Sequence, residues 1–144
     1  DTLIVHDRCD IGIAVAAPDG LLVPVIREPD RLSLTQIAEV SRRLADRARR
    51  GRLGPEEISD AVFSVSNLGM YGVEYFTAII NPPQSGILSV GEGAPELVRD
   101  GEDIRERTVA RIAVTLDHRV TDGANGALFL GAVRDMIEHP YRLL

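Results

Sequence analysis

Residues 108–130, TVARIAVTLDHRVTDGANGALFL, hold a strand, a turn and the start of a helix in direct succession. Side chains from Thr108 to Leu116 alternate with the two-residue period of a β-strand, and only one of them is charged. After the turn, the apolar residues recur at helical spacing. They are Gly126, Phe129, Leu130, Val133 and Ile137. The stretch therefore predicts a covered strand that leads into a final helix ending at 138–140.

The turn itself, Asp117 to Gly123, carries the candidate chemistry. Its sequence D-H-R-V-T-D-G places His118 four residues before Asp122. An imidazole with an unperturbed pKa of about 6.5 accepts a proton near neutral pH, so His118 is the candidate general base. Gly123 is predicted to let the chain turn tightly into the helix. Asp117, His118 and Asp122 could also bind a metal, but no second His or Cys stands nearby, and we expect no metal site.

Upstream, the sequence predicts several more strands. They are expected at 11–17, 21–26, 61–66, 76–80 and 86–90. The first two flank the turn signal Pro18-Asp19-Gly20 and predict a hairpin, in which Pro24 marks an edge or a bulge. The stretch from Gly91 to Asp103 is expected to be loop-rich with a small hairpin.

A second long helix is predicted between Ser33 and Gly51. Ser33 and Gln36 have the spacing of a capping box, and Gly51 is a plausible stop. Arginines crowd the faces opposite the apolar one: Arg42, Arg43, Arg47, Arg49 and Arg50. They could bind the phosphates of a nucleotide-like ligand, but a solvated face is the interpretation we favour. With a short helical turn from Pro55, the pattern predicts an α/β fold, a mixed sheet covered by two long helices.

Composition narrows the function classes. The chain has 144 residues and a formal net charge of −6, which argues against a nucleic-acid partner. No apolar run approaches the roughly 20 residues of a membrane helix, and no signal peptide is visible. We therefore expect no membrane partner and a cytoplasmic location, or the mitochondrial matrix for a eukaryotic source. The single cysteine, Cys9, excludes an intrachain disulfide. Lysine is absent, which excludes a residue that carries a covalent lipoyl or biotin arm, so any such arm must come from elsewhere.

Three stretches resemble the catalytic core of the dihydrolipoamide acyltransferases, the E2 components of 2-oxo acid dehydrogenase complexes. They are DIGIAVAAPDGLLVPVI (10–26), FSVSNLGMYGVEYFTAIINPPQSGILSVG (63–91) and VTLDHRVTDGANGALFL (114–130). The H-x-x-x-D-G spacing is shared with chloramphenicol acetyltransferase. The resemblance implies a chloramphenicol acetyltransferase-like, trimer-forming two-layer sandwich. It also implies that residues 1–144 are the later part of the catalytic domain, without its N-terminal part and without the lipoyl and subunit-binding domains.

The same resemblance implies a reaction. An acyl group, acetyl or branched-chain rather than succinyl, would pass between a dihydrolipoyl thioester and the substrate coenzyme A. His118 matches the family's general base, and Ser66 matches its hydroxyl that donates to the tetrahedral oxyanion. Asp122 matches an Asp or Asn that holds the loop and tunes the site. Arg119 is expected to be structural, paired with a carboxylate or with carbonyls.

Assembly is implied as well. In this family the active site lies between two subunits of a trimer, so Ser66 of one subunit would face His118 of its neighbour. Trimers build cores of 24 or 60 chains with the help of an apolar C-terminal segment, which Tyr141 to Leu144 resembles. The decarboxylase (E1) and dihydrolipoamide dehydrogenase (E3) of the complex would be the partners.

Departures and alternatives remain. A glycine pair of the family is replaced by Ser59-Asp60 before the strand that carries Ser66, so the approach to that strand is expected to differ in shape. Thr115 stands where Ser is usual and keeps a hydroxyl. One alternative is a core that has lost catalysis and only organises partner enzymes. Another is a chloramphenicol-type acetyltransferase, although such proteins usually carry a second His where Asp117 stands here.

Overall fold

The computed structural model describes residues 2–18 and 20–143. The strands are β1 Ile11–Ile13, β2 Val15–Ala17, β3 Gly20–Leu22, β4 Val25–Ile26, β5 Phe63–Asn67, β6 Gly86–Asp100 and β7 Asp103–Leu116. The long helices are α1 Leu34–Arg49 and α2 Gly123–Glu138. Short 3₁₀ helices span Pro29–Arg31, Pro55–Glu57, Gly69–Tyr71 and Pro140–Leu143. Leu144, the last residue of the predicted apolar tail, lies outside the described residues.

Five strands form one mixed sheet in the order β4-β1-β5-β6-β7. The β1–β5 and β5–β6 pairs are parallel, whereas β1–β4 and β6–β7 are antiparallel. Helix α1 packs against β2 and β4, and α2 packs against β7. The predicted α/β fold, a mixed sheet covered by two long helices, is confirmed.

The predicted hairpin at 11–26 is confirmed, but it divides between two sheets. Its outer halves pair as β1 with β4 in the large sheet, and its inner halves pair as β2 with β3 in a separate two-stranded sheet. Ala14 lies between the two halves, and its N–H donates to the Val65 carbonyl of β5 at 2.9 Å. Pro24 precedes the edge strand β4, where its missing N–H is tolerated. Asp19, in the predicted turn, lies outside the described residues.

Helix α1 begins and ends where its local signals predict. The Ser33 hydroxyl accepts from the Gln36 N–H at 3.3 Å, and the Gln36 side chain accepts from the Ser33 N–H at 2.8 Å. This capping box satisfies two N–H groups that a helix otherwise leaves unpaired. Gly51 has a φ of 62°, the left-handed conformation of a helix C′ residue. Leu44 and Ala48 are buried beneath the helix.

The hairpin expected at 91–103 is present, but the expectation that this stretch is loop-rich is wrong. The structure has a long antiparallel ribbon there, because β6 continues to Asp100 and β7 begins at Asp103. The pairing shifts register between Val90 and Gly93, where the ribbon leaves the five-stranded sheet. Glycine and proline locally favour a loop, but antiparallel pairing with the neighbouring strand β7 overrides that local signal.

The strand predicted at 76–80 is also absent. Two hydroxyl side chains hold this segment instead. The Ala78 N–H donates to the Ser89 hydroxyl at 3.1 Å, and the Ala78 carbonyl accepts from the Thr115 hydroxyl at 2.8 Å. Thr115 therefore uses the hydroxyl that it shares with the usual serine to tie this segment to β7.

Helix α2 approaches the sheet closely at Gly126, where a Cβ would lie 2.6 Å from Leu116. The Phe129 ring meets the Phe63 ring edge-on, with ring centroids 5.5 Å apart. These contacts place the start of α2, and the turn before it, at the end of β7. Neither α1 nor α2 has the length and apolar character needed to cross a bilayer, and the same holds for the other helices of residues 2–18 and 20–143.

Candidate active site

The turn at His118 is tied to the sheet by its first residue. The Asp117 N–H donates to the Ser85 carbonyl at 2.9 Å, and the Asp117 carbonyl accepts from the N–H groups of Val120 and Thr121 at 2.9 and 3.1 Å. His118 is exposed at the top of this turn. The backbone around the candidate base is thus hydrogen-bonded on both sides while its side chain faces outward.

Arg119 pairs with a carboxylate, one of the two kinds of partner expected for it, and the structure shows that this carboxylate is Asp117. Its Nε lies 3.0 and 3.1 Å from the two carboxylate oxygens, and its second guanidinium nitrogen lies 2.6 Å from Oδ2. The Arg119 N–H also donates to Oδ1 at 3.0 Å. The hydrogen bonds from the Arg119 side chain, followed by the one from its backbone, lower the pKa of Asp117 from 3.8 to about 2.

Asp122 is the N-cap of α2. Its carboxylate accepts from the Asn125 N–H at 2.9 Å, which is the bond that a capping residue makes, and its carbonyl accepts from the Gly126 N–H. The carboxylate therefore joins the His118 turn to the helix. An Asn could make the same bond, because its side-chain oxygen is also an acceptor.

The prediction that Gly123 is needed for a tight turn into α2 is wrong for the single chain. Gly123 is not among the residues with positive φ, and a Cβ at this position would meet nothing within 4 Å. The Asp122 cap, rather than glycine's conformational freedom, directs the chain into the helix. No contact within the described part of the chain explains why this position lacks a side chain.

Ser66 lies in β5, opposite Ser89 of β6, and is partly exposed. The segment that leads into β5 contains a residue in the left-handed conformation. Asp60 has a φ of 60°, a left-handed conformation that glycine adopts without strain. One residue of the Ser59-Asp60 pair thus adopts a conformation that favours glycine.

Strand register keeps Ser66 and His118 apart within one chain. The Ser85 N–H donates to the Val62 carbonyl, so Val62, Ser85 and Asp117 form one row across the sheet. Ser66 lies four residues beyond Val62 along β5, and β7 is two strands away from β5. With a rise of about 3.3 Å per residue and a strand spacing of about 4.8 Å, Ser66 lies roughly 16 Å from Asp117. His118 and Ser66 of the same chain therefore do not form one site.

The loop after Ser66 packs tightly on β6. The Asn67 side chain accepts from the Gly69 N–H at 2.8 Å, and the Glu92 N–H donates to the Val73 carbonyl at 2.8 Å. A Cβ at Gly91 would lie only 1.9 Å from the Glu74 carbonyl oxygen. Gly91 is therefore required for this approach of loop to strand, a role that the sequence analysis missed.

Asp10 is a second residue that the sequence analysis missed. It is 2% exposed, and its carboxylate accepts from the Glu28 N–H and from the Arg27 guanidinium, both at 2.9 Å. Burial raises the pKa of Asp10, but the Glu28 N–H and Arg27 outweigh burial and hold the pKa below 3.8. A charged residue directly before an apolar strand was the available signal. Asp10 joins β1 to the segment after β4.

A cavity of about 560 Å³ lies between α1 and β4, and Arg43 and Glu57 are among its lining residues. Ser66, His118 and Asp122 do not line it. Of the α1 arginines, Arg47 pairs with Glu57 at 2.8 Å and Arg49 pairs with Asp46 at 3.4 Å. Across the part of the chain that the structure describes, His, Cys, Asp and Glu side chains do not gather in threes to hold a metal ion.

The sequence model of the family "2-oxoacid dehydrogenases acyltransferase (catalytic domain)" matches residues 1–144. The chain belongs to this family. It is 43% identical, over its whole length, to the dihydrolipoyllysine-residue acetyltransferase component of the acetoin cleaving system of Bacillus subtilis. It is 42% identical to the succinyltransferase component of the 2-oxoglutarate dehydrogenase complex of Rickettsia typhi. The chain spans 36% of the length of each, about a third of these relatives.

Among solved structures, the dihydrolipoamide acetyltransferase of Azotobacter vinelandii superposes with a TM-score of 0.94 and 39% identity. The match covers 99% of this chain and 58% of that one, so the fold is that of the family's catalytic core. A serine, a histidine and an asparagine of that enzyme were investigated for their roles in its catalytic mechanism. There, the serine precedes the histidine by 52 residues and the asparagine follows it by four. Ser66, His118 and Asp122 have the same separations here.

Proposed function

We propose that this chain carries the acyl-transfer groups of a dihydrolipoyllysine-residue acyltransferase of a 2-oxo acid dehydrogenase complex. The reaction moves an acyl group between a dihydrolipoyl thioester, carried on a separate domain, and coenzyme A. The observation that carries the proposal is the match in spacing between Ser66, His118 and Asp122 and the three residues investigated in the Azotobacter vinelandii enzyme.

Each group has one task in this proposal. His118 takes the proton of the coenzyme A thiol, and the resulting thiolate attacks the thioester carbonyl. The Ser66 hydroxyl donates to the oxyanion of the tetrahedral intermediate. When the intermediate collapses, the dihydrolipoyl sulfur leaves and receives the proton from His118. A general base contributes about 10²–10⁴-fold in rate, and one oxyanion donor about 10²–10³-fold.

Asp122 supports this chemistry without taking part in it. Its carboxylate caps α2 at 2.9 Å from the Asn125 N–H, so the turn that carries His118 ends on a rigid helix. Groups held by rigid elements keep the geometry that proton transfer requires.

The site is completed by a second copy of the chain. Ser66 and the His118 turn lie roughly 16 Å apart in one chain, but a hydrogen bond needs about 3 Å. A trimer in which Ser66 of one subunit faces His118 of its neighbour supplies both groups. The partners would be two further copies, a core of 24 or 60 chains, and the E1 and E3 enzymes of the complex. Solved structures similar to this chain include the cubic core of a pyruvate dehydrogenase complex, which supports such an assembly.

The acyl group that we propose is acetyl or branched-chain. Overall identity does not separate this from succinyl, because the acetyltransferase and succinyltransferase relatives are 43% and 42% identical to the chain. The choice rests on the 67–91 stretch, which resembles the acetyl and branched-chain types.

The test is acyl transfer to dihydrolipoamide from acetyl-, isobutyryl- and succinyl-coenzyme A, with the intact protein and its His118→Ala variant. We expect transfer that falls at least about 10²-fold in the variant while the oligomer stays intact. His6→Ala is the matched control, since His6 is also exposed but lies far along the chain from the turn. An active His118→Ala variant contradicts the mechanism. An intact but inactive wild-type oligomer favours a scaffold.

A further inference from the structure

Two residues flank His118 and are bound to each other across it. Asp117 uses every polar group that it has. Its N–H reaches the sheet at Ser85, its carbonyl closes the turn, and its carboxylate accepts four hydrogen bonds from Arg119. Arg119 therefore folds back over the residue that anchors the turn, and the backbone of His118 lies between the two ends of this clamp.

The clamp makes only a small contribution to global stability. The Arg119 side chain is 85% exposed and the Asp117 side chain 19%. Exposed ion pairs contribute little to the free energy of unfolding, because water screens them. Yet the pair is of the planar, two-nitrogen kind that fixes geometry most closely. Its effect is therefore local, on the three-residue segment that contains His118.

The rate of acyl transfer depends on the position of the His118 imidazole. A displacement of about 1 Å in a reacting group can lower a rate by about 10²-fold. His118 is exposed, so close packing around its side chain does not fix its position in the single chain. The conformation of residues 117–121 has to supply that precision.

We propose that Asp117 and Arg119 are positioning residues, which hold the His118 imidazole at the position that acyl transfer requires. This inference rests on the proposed function, since it assigns His118 the role of base. It predicts an effect on turnover and none on substrate binding, because in this proposal both residues act only through the conformation of the His118 turn.

The experiment measures kcat, the KM for coenzyme A and the KM for dihydrolipoamide in the intact oligomer. Arg119→Ala should lower kcat about 10-fold and leave both KM values within about twofold. Arg119→Lys should recover part of the loss, since an ammonium pairs with Asp117 but cannot make the forked contact. Arg111→Ala is the matched control. Arg111 makes the same kind of exposed contact with Glu96, at 2.6 and 3.1 Å, elsewhere on β7.

Hydrogen exchange of the 117–122 peptide, followed by mass spectrometry, gives a readout that does not depend on activity. The amides of Val120 and Thr121 should exchange faster in Arg119→Ala, while those of α2 stay protected. The proposal is overturned if kcat is unchanged, if only the KM for coenzyme A rises, or if kcat falls with unchanged exchange. Failure of the proposed function looks different, because wild type would then be inactive or His118→Ala would be active.

Discussion

Chains with Ser66→Ala and chains with His118→Ala are each expected to be nearly inactive alone, yet active when they assemble together. The reason is the strand register. Ser66 lies four rows beyond the Val62–Ser85–Asp117 row, so the two groups of one chain are roughly 16 Å apart. In a closed ring, each chain can offer Ser66 to one neighbour and His118 to the other.

The recovered activity can be worked out from this geometry. In a random equal mixture, half of the chains have an intact Ser66 and the other half an intact His118. A site between neighbours receives both intact groups in about one quarter of cases, so about a quarter of the wild-type rate returns. A site built within one chain never receives both intact groups, because every chain in this mixture lacks one of them.

The assay is acyl transfer by co-expressed, co-purified oligomers, with mass spectrometry to confirm equal amounts of the two chains. Wild type mixed equally with the double variant Ser66→Ala/His118→Ala is the matched control. Sites between subunits predict about one quarter of the wild-type rate for this mixture also, whereas sites within one chain predict about one half. No recovery in the first mixture and one half in the second would refute the argument from register.

Three further predictions concern single positions. Gly91→Ala should lower the free energy of unfolding in urea by about 1–3 kcal/mol or more, because its Cβ would lie 1.9 Å from the Glu74 carbonyl oxygen; unchanged stability would contradict this. Asp60→Gly should raise the free energy of unfolding by up to about 1 kcal/mol, since φ is 60°, and a lower melting temperature would show that the aspartate side chain contributes more than its strain costs. The pKa of Asp117 is lowered from 3.8 to about 2, so its stabilising effect is complete above pH 3.8 and is lost as the pH falls through 2. The stability difference between wild type and Asp117→Asn should therefore stay constant above pH 4 and shrink below it, and a difference that shrinks already at higher pH would contradict the lowered pKa.

The elements that sequence predicts well are those specified by close neighbours. The capping box of α1 needs only Ser33 and Gln36, three residues apart, and Gly51 ends the helix by its own conformational freedom. The ion pair of Arg119 with Asp117 is likewise local. Such features depend on bonds within one or two turns of chain, so their signals remain visible in the sequence.

The errors occur where strand pairing and side-chain contacts, rather than local residue preferences, decide the structure. Residues 91–103 contain Gly and Pro, which locally favour a loop, but residues 93–100 pair with β7 in an antiparallel ladder. The 76–80 segment, predicted as a strand, is held instead by the hydroxyls of Ser89 and Thr115. When side-chain hydroxyls bind a segment's backbone in place of a neighbouring strand, no periodic pattern in the sequence reveals it.

The candidate site shows the same division. The sequence by itself determined that a histidine, with an aspartate four residues later, stands in a turn between a strand and a helix, since that pattern is written in consecutive residues. The distance between Ser66 and His118 was decided only by the tertiary structure. It depends on which strands are neighbours and in what register, and these follow from hydrogen bonds and packing between residues far apart in the chain.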